Sequence, residues 1–238
     1  MAGGWGIRLL PYTKVLPKPL LPLNDTPILE IILRQLKEAG FTQVTIALNY
    51  KADTIRNYVT ARTNFGMNIT FTHEKESLGT IGALRLVQDL CNEEPMLVMN
   101  ADVLTDFDFR AFYHFHQENR SMLSVMLSKK KVHVDFGVVE LTDDNRIVGI
   151  TEKPDFDYFV SSGVYMMNTS VINYIYERSM GVPDLIKNLI SDGHKVHSYL
   201  HEGVWMDIGT GDSLIEASRF FLENRQLFLK DEITINSI

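Results

Sequence analysis

The segment Met1-Ala-Gly-Gly-Trp-Gly-Ile-Arg8, with Pro17-Lys18-Pro19 further along, decides how this chain is interpreted. Three glycines fall within its first six residues, at Gly3, Gly4 and Gly6. A backbone without Cβ atoms turns tightly and lets its N–H groups approach anionic oxygens. Arg8 adds a planar fork of donors that suits phosphate, and the two prolines restrict the backbone around the Lys18 ammonium. The segment therefore predicts a cradle for a polyphosphate.

Two commoner glycine-rich motifs do not match this segment. A P-loop needs Gly-Lys-Ser/Thr at a fixed distance, and the dinucleotide fingerprint needs a third glycine at its own place. A glycine-rich turn can also do no more than connect a strand to the next element. The composition of the loop alone leaves these alternatives open.

The composition is that of an ordinary globular chain of 238 residues, 45% hydrophobic and 22% charged. One α/β domain, or a core with a small subdomain, is expected at this length. A net charge of -7 argues against a general nucleic-acid binder, which would carry a basic stripe. The single cysteine, Cys91, rules out an internal disulfide and is expected as a buried thiol. We see no signal peptide and no long apolar run, so a cytoplasmic location is expected.

Helical and strand patterns alternate along the chain. Apolar residues recur at helical spacing over 28–39, and apolar and polar residues alternate over 42–49. The pattern predicts further helices over 52–58, 109–119, 183–190 and 213–229, strands over 67–72, 95–102, 122–127 and 197–200, and a hairpin of 136–141 with 146–150. The basic run 129–131 is interpreted as an exposed loop, and His114 and His116 as surface residues. Such alternation predicts a mostly parallel sheet covered on both faces, with ligands beyond the C-terminal ends of its strands.

An apolar strand pattern over 95–101 ends at Asp102. A carboxylate at the end of a buried strand suits a hard cation, although aspartate is also a common turn former. The residues alone leave both interpretations open.

Five segments, in order, resemble the sugar-1-phosphate nucleotidyltransferases, also called NDP-sugar pyrophosphorylases, over nearly the whole chain. The segments are residues 2–9 with 17–19, 78–84, 100–102, 152–154 with 160–165, and 205–210. They are similar to the family patterns A-G-G-x-G-T-R-L with P-K-P, L-G-T-x-G-A-L, N-G-D, E-K-P with V-N-A-G-I-Y, and W-x-D-I-G-T. Ile7, Ala101 and Ser161 depart from these patterns, where Thr, Gly and Asn are usual.

The resemblance implies an α/β fold over residues 1–238, a single nucleotidyltransferase domain. The expected form is a three-layer Rossmann-like sandwich with a mostly parallel central sheet and a small antiparallel sugar-binding insertion near 132–165. In this family an apolar strand runs directly into the glycine-rich loop, whereas only Met1 precedes it here. We therefore expect a first strand upstream of Met1, and some relatives make upstream CBS domains a further expectation.

The resemblance also implies a site. Arg8, Lys18 and Asp102 are expected to be catalytic, and Asp102 with Asp207 is expected to bind Mg²⁺. The substrate-binding residues implied are Ala2, Gly3, Gly4, Gly6, Glu74, Gly79, Thr80, Gly137, Glu152, Lys153 and Gly163. Of these, Glu152 would accept from a sugar hydroxyl and Lys153 would contact the sugar phosphate.

The implied reaction transfers a nucleoside monophosphate from an NTP to a sugar 1-phosphate and releases pyrophosphate. The attacking phosphate oxygen is already anionic, so positioning and charge neutralisation suffice without a general base. A non-catalytic nucleotide-sugar-binding regulatory domain stays open as an alternative, since Ile7, Ala101 and Ser161 depart from the family. Neither nucleic acid nor a membrane is an expected partner, and self-association is left open.

Glu74 bears on the choice of base. It precedes Gly79 by five residues, a spacing at which pyrimidine-using relatives carry Gln. An ionised carboxylate only accepts hydrogen bonds, and guanine presents two adjacent donors. This favours GTP, while cytosine, adenine and a Glu74 that merely faces solvent remain alternatives.

Overall fold

The computed structural model describes residues 1–74, 78–90, 94–176 and 179–230. Cys91, expected as a buried thiol, lies outside the described residues. Within the described part of the chain, no helix has both the length and the apolar character needed to cross a membrane.

Helices and strands alternate as the sequence predicts. The strands are β1 Pro22–Leu23, β2 Thr26–Pro27, β3 Gln43–Leu48, β4 Asn68–His73, β5 Met96–Met99, β6 Val103–Thr105, β7 Leu123–His133, β8 Val138–Leu141, β9 Ile147–Thr151, β10 Asp155–Met167, β11 Val196–His201 and β12 Trp205–Asp207. The α-helices are α1 Tyr12–Val15, α2 Ile28–Glu38, α3 Ala52–Ala61, α4 Gly79–Gly82, α5 Phe109–Glu118, α6 Val182–Ser191, α7 Gly211–Glu223 and α8 Arg225–Phe228. Short 3₁₀ turns cover Ile7–Leu9, Lys18–Leu20, Thr63–Gly66, Ala83–Leu90 and Thr169–Tyr174. The helix predicted over 213–229 is therefore two helices, which are separated at Asn224.

The central sheet consists of two groups of strands that the first two residues join. β5, β10, β7 and β11 lie side by side in one group, and β3 pairs with β4 in the other. Between the groups, Met1 N donates to Met99 O at 2.8 Å and Ala2 N donates to Ala47 O at 2.9 Å. β11 runs parallel to β7 and β4 runs parallel to β3, whereas β10 is antiparallel to both β5 and β7. The predicted α/β fold with a mostly parallel sheet is confirmed, with β10 reversed.

Three apolar clusters cover the faces of this sheet. The first joins α2 with α5 and α7 through side chains such as Phe112 and Phe221. The second packs α6 and the turn Ala83–Leu90 against β7 and β10, and the third packs α3 against β3. The amphipathic pattern of α2 explains its central place, because it buries apolar residues in both the first and the third cluster.

An antiparallel arm extends from the sheet. We define the arm as β8, β9 and the outer halves of β7 and β10, residues 129–133 and 155–160. The interpretation of 129–131 as an exposed loop is wrong, because these lysines lie on β7 and pair with β10. Lys129 Nζ lies 2.7 Å from Asp157 Oδ2, and Lys131 Nζ lies 3.6 Å from Asp155 Oδ2. Opposite charges on adjacent strands support this pairing while the side chains stay in solvent.

His116, expected at the surface, is buried on α5. Its Nδ1 lies 2.9 Å from Ser124 Oγ and its Nε2 lies 3.1 Å from Asn168 Oδ1, so the ring ties α5 to β7 and to the end of β10. Burial lowers the pKa of His116, and the Asn168 hydrogen bond opposes that shift. The interpretation failed because both polar partners lie outside α5, where the helical pattern does not reveal them. His114 is exposed, as expected.

This burial predicts a pH dependence of stability. The unfolded chain takes up a proton at His116 near its usual pKa of about 6.5, which the folded chain resists. The free energy of unfolding should therefore fall as pH drops from the usual value toward the lowered one. In urea denaturation, we expect a shallower fall between pH 7.5 and pH 5.5 in His116→Asn than in the unaltered chain. The exposed His114→Asn should keep the original slope, and an unchanged slope in His116→Asn would contradict the prediction.

Candidate functional site

The backbones of Asp102 and Asp207 lie side by side where β5 and β12 end. β6 pairs antiparallel with β12, so that Asp207 lies opposite Val103, the neighbour of Asp102. Ile208 N donates to Asp102 O at 3.0 Å, which continues the same pairing. This pairing makes the two residues that the sequence predicted as metal ligands neighbours along the backbone, and their shared cation stays a prediction.

The carboxylate of Asp102 uses its two oxygens differently. Lys18 Nζ donates to Oδ2, and the Lys18 side chain is only 11% exposed. Oδ1 is buried and has no hydrogen-bond partner among the described residues. A buried carboxylate oxygen without a partner costs free energy, and a bound cation would supply what it lacks.

The donor set suits a small divalent cation that also binds substrate. Asp207 is exposed, and Asp102 offers Oδ1 from the adjacent strand. No cluster of three or more metal-ligating side chains occurs within residues 1–74, 78–90, 94–176 and 179–230. Mg²⁺ is typically held by one or two carboxylates together with water and substrate phosphates. The residues present therefore fit Mg²⁺ in a site that phosphate oxygens complete.

The side chain of Thr13 holds the glycine-rich loop in place. Its Oγ1 donates to Gly6 O at 3.0 Å, and its side chain is buried. Gly6 has a φ of 61°, and a Cβ there would lie 2.8 Å from Thr13 Cγ2, so this position requires glycine. A Cβ built on Gly4 would meet no atom within 4 Å, so the space beside this residue is open to a ligand. Ala2 is buried and donates its N–H to Ala47, so it supports the loop from the sheet.

Arg8 lies beside the second carboxylate. A Cβ built on Gly209 would lie 2.9 Å from Asp207 Oδ2 and 3.1 Å from Arg8 Nη2. Both side chains therefore lie against the same glycine, and Arg8 is exposed. The loop thus places a guanidinium next to the carboxylate pair, on the side open to solvent.

Glu74 directly follows β4 and lies next to Gly3, at the start of the loop. It is 6% exposed, so the alternative of a solvent-facing side chain is wrong. Its Oε2 accepts from Leu78 N at 3.1 Å, and its Oε1 would lie 3.3 Å from a Cβ on Gly3. The carboxylate is consequently held in place beside the loop and can reach a ligand that approaches Gly3.

Gly79 is explained by packing. Its φ is 73°, and a Cβ would lie 2.7 Å from Met180 O. Thr80, the next residue, is exposed at the first turn of α4. Close packing against Met180 explains why glycine occupies position 79. The substrate contacts of Gly79 and Thr80 stay predictions.

The predicted sugar-binding residues fall into two groups. Gly163 lies against the end of β5, where a Cβ would approach Asn100 Nδ2 to 2.7 Å. Gly137 directly precedes β8 of the arm, Glu152 and Lys153 directly follow β9, and a Cβ on Gly137 would be 3.1 Å from Glu152 Oε2. Among the described residues, no contact connects this second group to Asp102 or Asp207.

Two residues that secure the loop carry no signal in the sequence. Trp5 stacks on Tyr50 with ring centroids 5.1 Å apart, and Tyr50 Oη donates to Thr13 O at 3.2 Å. Lys51 Nζ donates to Val15 O at 2.7 Å. Tyr50 and Lys51 follow β3, and only the tertiary structure brings them to the loop.

Known proteins are similar to this chain in sequence and in fold. The family model described as Nucleotidyl transferase matches residues 1–224. A mannose-1-phosphate guanyltransferase of Yarrowia lipolytica is 30% identical over 233 residues, which make up 94% of this chain and 63% of the relative. One of Saccharomyces cerevisiae is 28% identical over 234 residues, with coverage of 94% and 64%. The chain thus spans slightly less than two thirds of the length of these curated relatives.

A solved structure agrees with these sequence relatives. A Bacillus anthracis protein assigned as a glucose-1-phosphate thymidylyltransferase, solved in complex with sucrose, superposes with a TM-score of 0.75 and 26% identity. The superposition covers 92% of each chain. Because the motifs, the fold and the match over residues 1–224 agree, the chain belongs to the nucleotidyl transferase family.

Proposed function

We propose that this chain is a sugar-1-phosphate guanylyltransferase, which joins GTP and mannose 1-phosphate into GDP-mannose and pyrophosphate. The curated relatives carry the name of this activity. The observation that carries the proposal is the backbone pairing that sets Asp207 beside Asp102, together with the Lys18–Asp102 ion pair and with Arg8 and Asp207 against Gly209. Two carboxylates and two cations there suit the charges of a triphosphate and a sugar phosphate.

Members of this family generally use a divalent metal. Asp102 and Asp207 are the residues that would hold it here, and we propose Mg²⁺. When bound, Mg²⁺ neutralises phosphate charge and polarises the phosphorus–oxygen bonds. It also screens the repulsion between the two anionic substrates.

Lys18 and Arg8 have different tasks in this proposal. Lys18 is buried against Asp102, so it holds that carboxylate in one orientation and adds a fixed positive charge at the reacting phosphate. Arg8 is exposed and forms no ion pair among the described residues, although it lies near Asp207, so its guanidinium can bind the outgoing pyrophosphate. The sugar phosphate oxygen attacks the α-phosphorus in line with the leaving pyrophosphate and needs no base.

The remaining predicted contacts complete the proposal. Glu74 would accept from guanine N1–H and N2–H₂, since its carboxylate lies beside Gly3. Gly163, Gly137, Glu152 and Lys153 would bind the sugar phosphate. A cytoplasmic location, self-association and upstream CBS domains stay predictions.

The first test is the release of pyrophosphate with mannose 1-phosphate and each of GTP, UTP, dTTP, CTP and ATP. We expect the highest kcat/KM with GTP and dependence on Mg²⁺. Nucleotide binding without turnover in every pairing would instead assign the non-catalytic alternative.

Within that assay, Glu74→Gln should lower kcat/KM for GTP by about tenfold or more, because a hydrogen bond to a charged group contributes roughly 1.5–3 kcal/mol. Activity with UTP should fall less, since an amide can both donate and accept. The exposed Glu216→Gln provides the control. A clear preference of the unaltered chain for UTP or dTTP would refute the role of Glu74.

Asp102→Asn and Asp207→Asn should each abolish Mg²⁺-dependent turnover and leave the fold intact. The reason is that an amide oxygen is a weaker ligand than a carboxylate for a hard cation. Circular dichroism checks the fold, and Asp192→Asn on the exposed end of α6 is the matched control. Near-normal activity of Asp207→Asn would disprove the shared cation site.

Lys18→Ala should lower kcat by a factor of about 100 or more, the usual effect of losing one preorganised charge contact. KM for GTP should change less, because the ammonium acts on charge that develops during the reaction. The exposed Lys14→Ala serves as the control on the same segment. An unchanged kcat with a raised KM would show that Lys18 contributes only to binding.

A further inference from the structure

The strand that ends at Asp207 is short. β12 has three residues and, among the described strands, pairs with β6 alone, which has three residues as well. A shift of such a pairing by one residue would turn every side chain of the strand to the opposite face. The place of Asp207 next to the backbone of Asp102 therefore depends on what fixes the register of these two strands.

The last pair of this ladder is completed by a side chain. The register that places Trp205 opposite Thr105 also places Val204 opposite Asp106. In a regular antiparallel ladder, two residues paired in this way exchange both of their N–H···O bonds. Asp106 N donates to Val204 O at 3.4 Å, but Val204 N donates to Oδ1 of the Asp106 side chain at 2.8 Å. The carboxylate thus replaces the backbone acceptor at the point where the chain enters β12.

Thr105 and His201 contact the same corner. Thr105 is buried, and its Oγ1 donates to Val204 O at 2.7 Å. His201 Nε2 lies 3.1 Å from Val204 O and 3.0 Å from Asp106 Oδ1. Because a carbonyl oxygen only accepts hydrogen bonds, this ring nitrogen carries a hydrogen. Both backbone groups of Val204 are consequently bound by side chains from the end of β6.

The corner is itself tied to the rest of the fold. Gln35 of α2 is buried, and its Nε2 donates to Thr105 O at 2.7 Å. A Cβ on Gly203 would lie 2.5 Å from Asp106 Oδ1 and 2.6 Å from His201 Cε1. Only glycine lets the turn from β11 into β12 approach these side chains so closely. The start of β12 therefore has a fixed point of attachment.

The opposite end of β12 shows what this attachment controls. Ile208 N donates to Asp102 O at 3.0 Å, which is the last bond of the same ladder. A strand rises about 3.4 Å per residue, so Asp207 lies roughly 10 Å from Val204. The backbone between them is extended, and a change of register at Val204 would therefore move Asp207 as well.

We propose that Thr105 and Asp106 are positioning residues, which bind Val204, set the register of β12 and thereby hold Asp207 in place. The value of this placement for turnover rests on the proposed function, whereas the register itself does not. Residues that orient a metal ligand from outside its coordination shell typically change metal affinity or activity by about 10–100-fold when they are replaced. Asp106 has this kind of effect on Asp207, through the backbone of β12.

The test compares Asp106→Ala with Asp106→Asn. It measures the Mg²⁺ concentration that gives half-maximal pyrophosphate release, and the hydrogen exchange of the Ile208 amide. We expect Asp106→Ala to raise that concentration by about tenfold or more and to speed the exchange at Ile208 by about tenfold or more. Asp106→Asn should recover most of both losses, since its amide oxygen accepts the same hydrogen bonds.

Asp108→Ala is the matched control, two residues further along the chain. Asp108 Oδ1 also accepts two hydrogen bonds, from Arg110 N and Ala111 N, but at the start of α5. Their loss should lower the melting temperature, as the loss of a helix cap does. The Mg²⁺ requirement and the exchange at Ile208 should stay as they are in the unaltered chain.

An unchanged Mg²⁺ requirement or unchanged exchange at Ile208 in Asp106→Ala would overturn the proposal, because a lower melting temperature alone is what a merely structural role predicts. An equal loss in Asp106→Asn would also overturn it, by showing that the charge matters and the hydrogen bonds do not.

Two further outcomes keep the proposal testable. If Asp106→Ala does not fold, Thr105→Val, which lacks the hydroxyl that binds Val204 O, is compared with Thr105→Ser, which keeps it. Equal Ile208 exchange in these two variants would overturn the proposal. If the unaltered chain releases no pyrophosphate with any nucleotide, the proposed function fails, and the exchange at Ile208 alone decides whether Asp106 sets the register.

Discussion

The ion pair between Lys18 and Asp102 holds the two halves of the site together. It joins residues 84 positions apart, one in the proline-flanked turn Lys18–Leu20 and one after β5. The pair is partly buried, with 11% of the Lys18 side chain and 24% of the Asp102 side chain exposed, so the loss of one partner would leave the other charge poorly solvated and without its counter-ion. The turn, and with it the segment that begins at the glycine-rich loop, is thereby committed to one position over the end of the sheet.

The other features of the site depend on that position. With the turn in place, Thr13 holds the loop at Gly6, and Arg8 comes to lie against Gly209 beside Asp207. The pairing of β6 with β12 then sets Asp207 next to Asp102. Lys18 and Arg8 thus lie near Asp102 and Asp207 respectively, and the space beside Gly4 of the loop is open. The Lys18–Asp102 ion pair is formed without a ligand, whereas Arg8 and Asp207 are exposed to solvent.

Much of the fold was predictable because local pattern and tertiary structure agree. The helix at 28–39, which Gly40 follows, and the strand at 42–49 have regular apolar spacing, and both appear within one residue or so of the prediction. The motifs also predicted Asp102 and Asp207 as a pair of metal ligands, which stays a prediction, and did not reveal why their backbones lie side by side. β6 and β12 are three residues each, and strands that short carry too little pattern to specify a pairing register.

The wrong interpretations share a physical cause. Polarity predicts exposure, yet His116 is buried because Ser124 and Asn168 satisfy both of its ring nitrogens. The lysines at 129–131 are exposed as their charge suggests, and still belong to a strand, because exposed strands on an arm need no apolar face. In both cases the deciding partners lie on other elements, and a single sequence does not reveal them.

The placement of the two tryptophans has a spectroscopic consequence. Trp5 is 62% exposed and stacks on Tyr50 at the glycine-rich loop, whereas Trp205 donates to Ser162 O at 2.9 Å on the strand that ends at Asp207. The chain has no other tryptophan. Its tryptophan fluorescence therefore originates on the two sides of the site. The indole of Trp5 is largely in water, and the indole of Trp205 is hydrogen-bonded to the sheet. A ligand that covers the loop will quench or shift the emission of Trp5 selectively, so the protein carries its own optical reporter of occupancy.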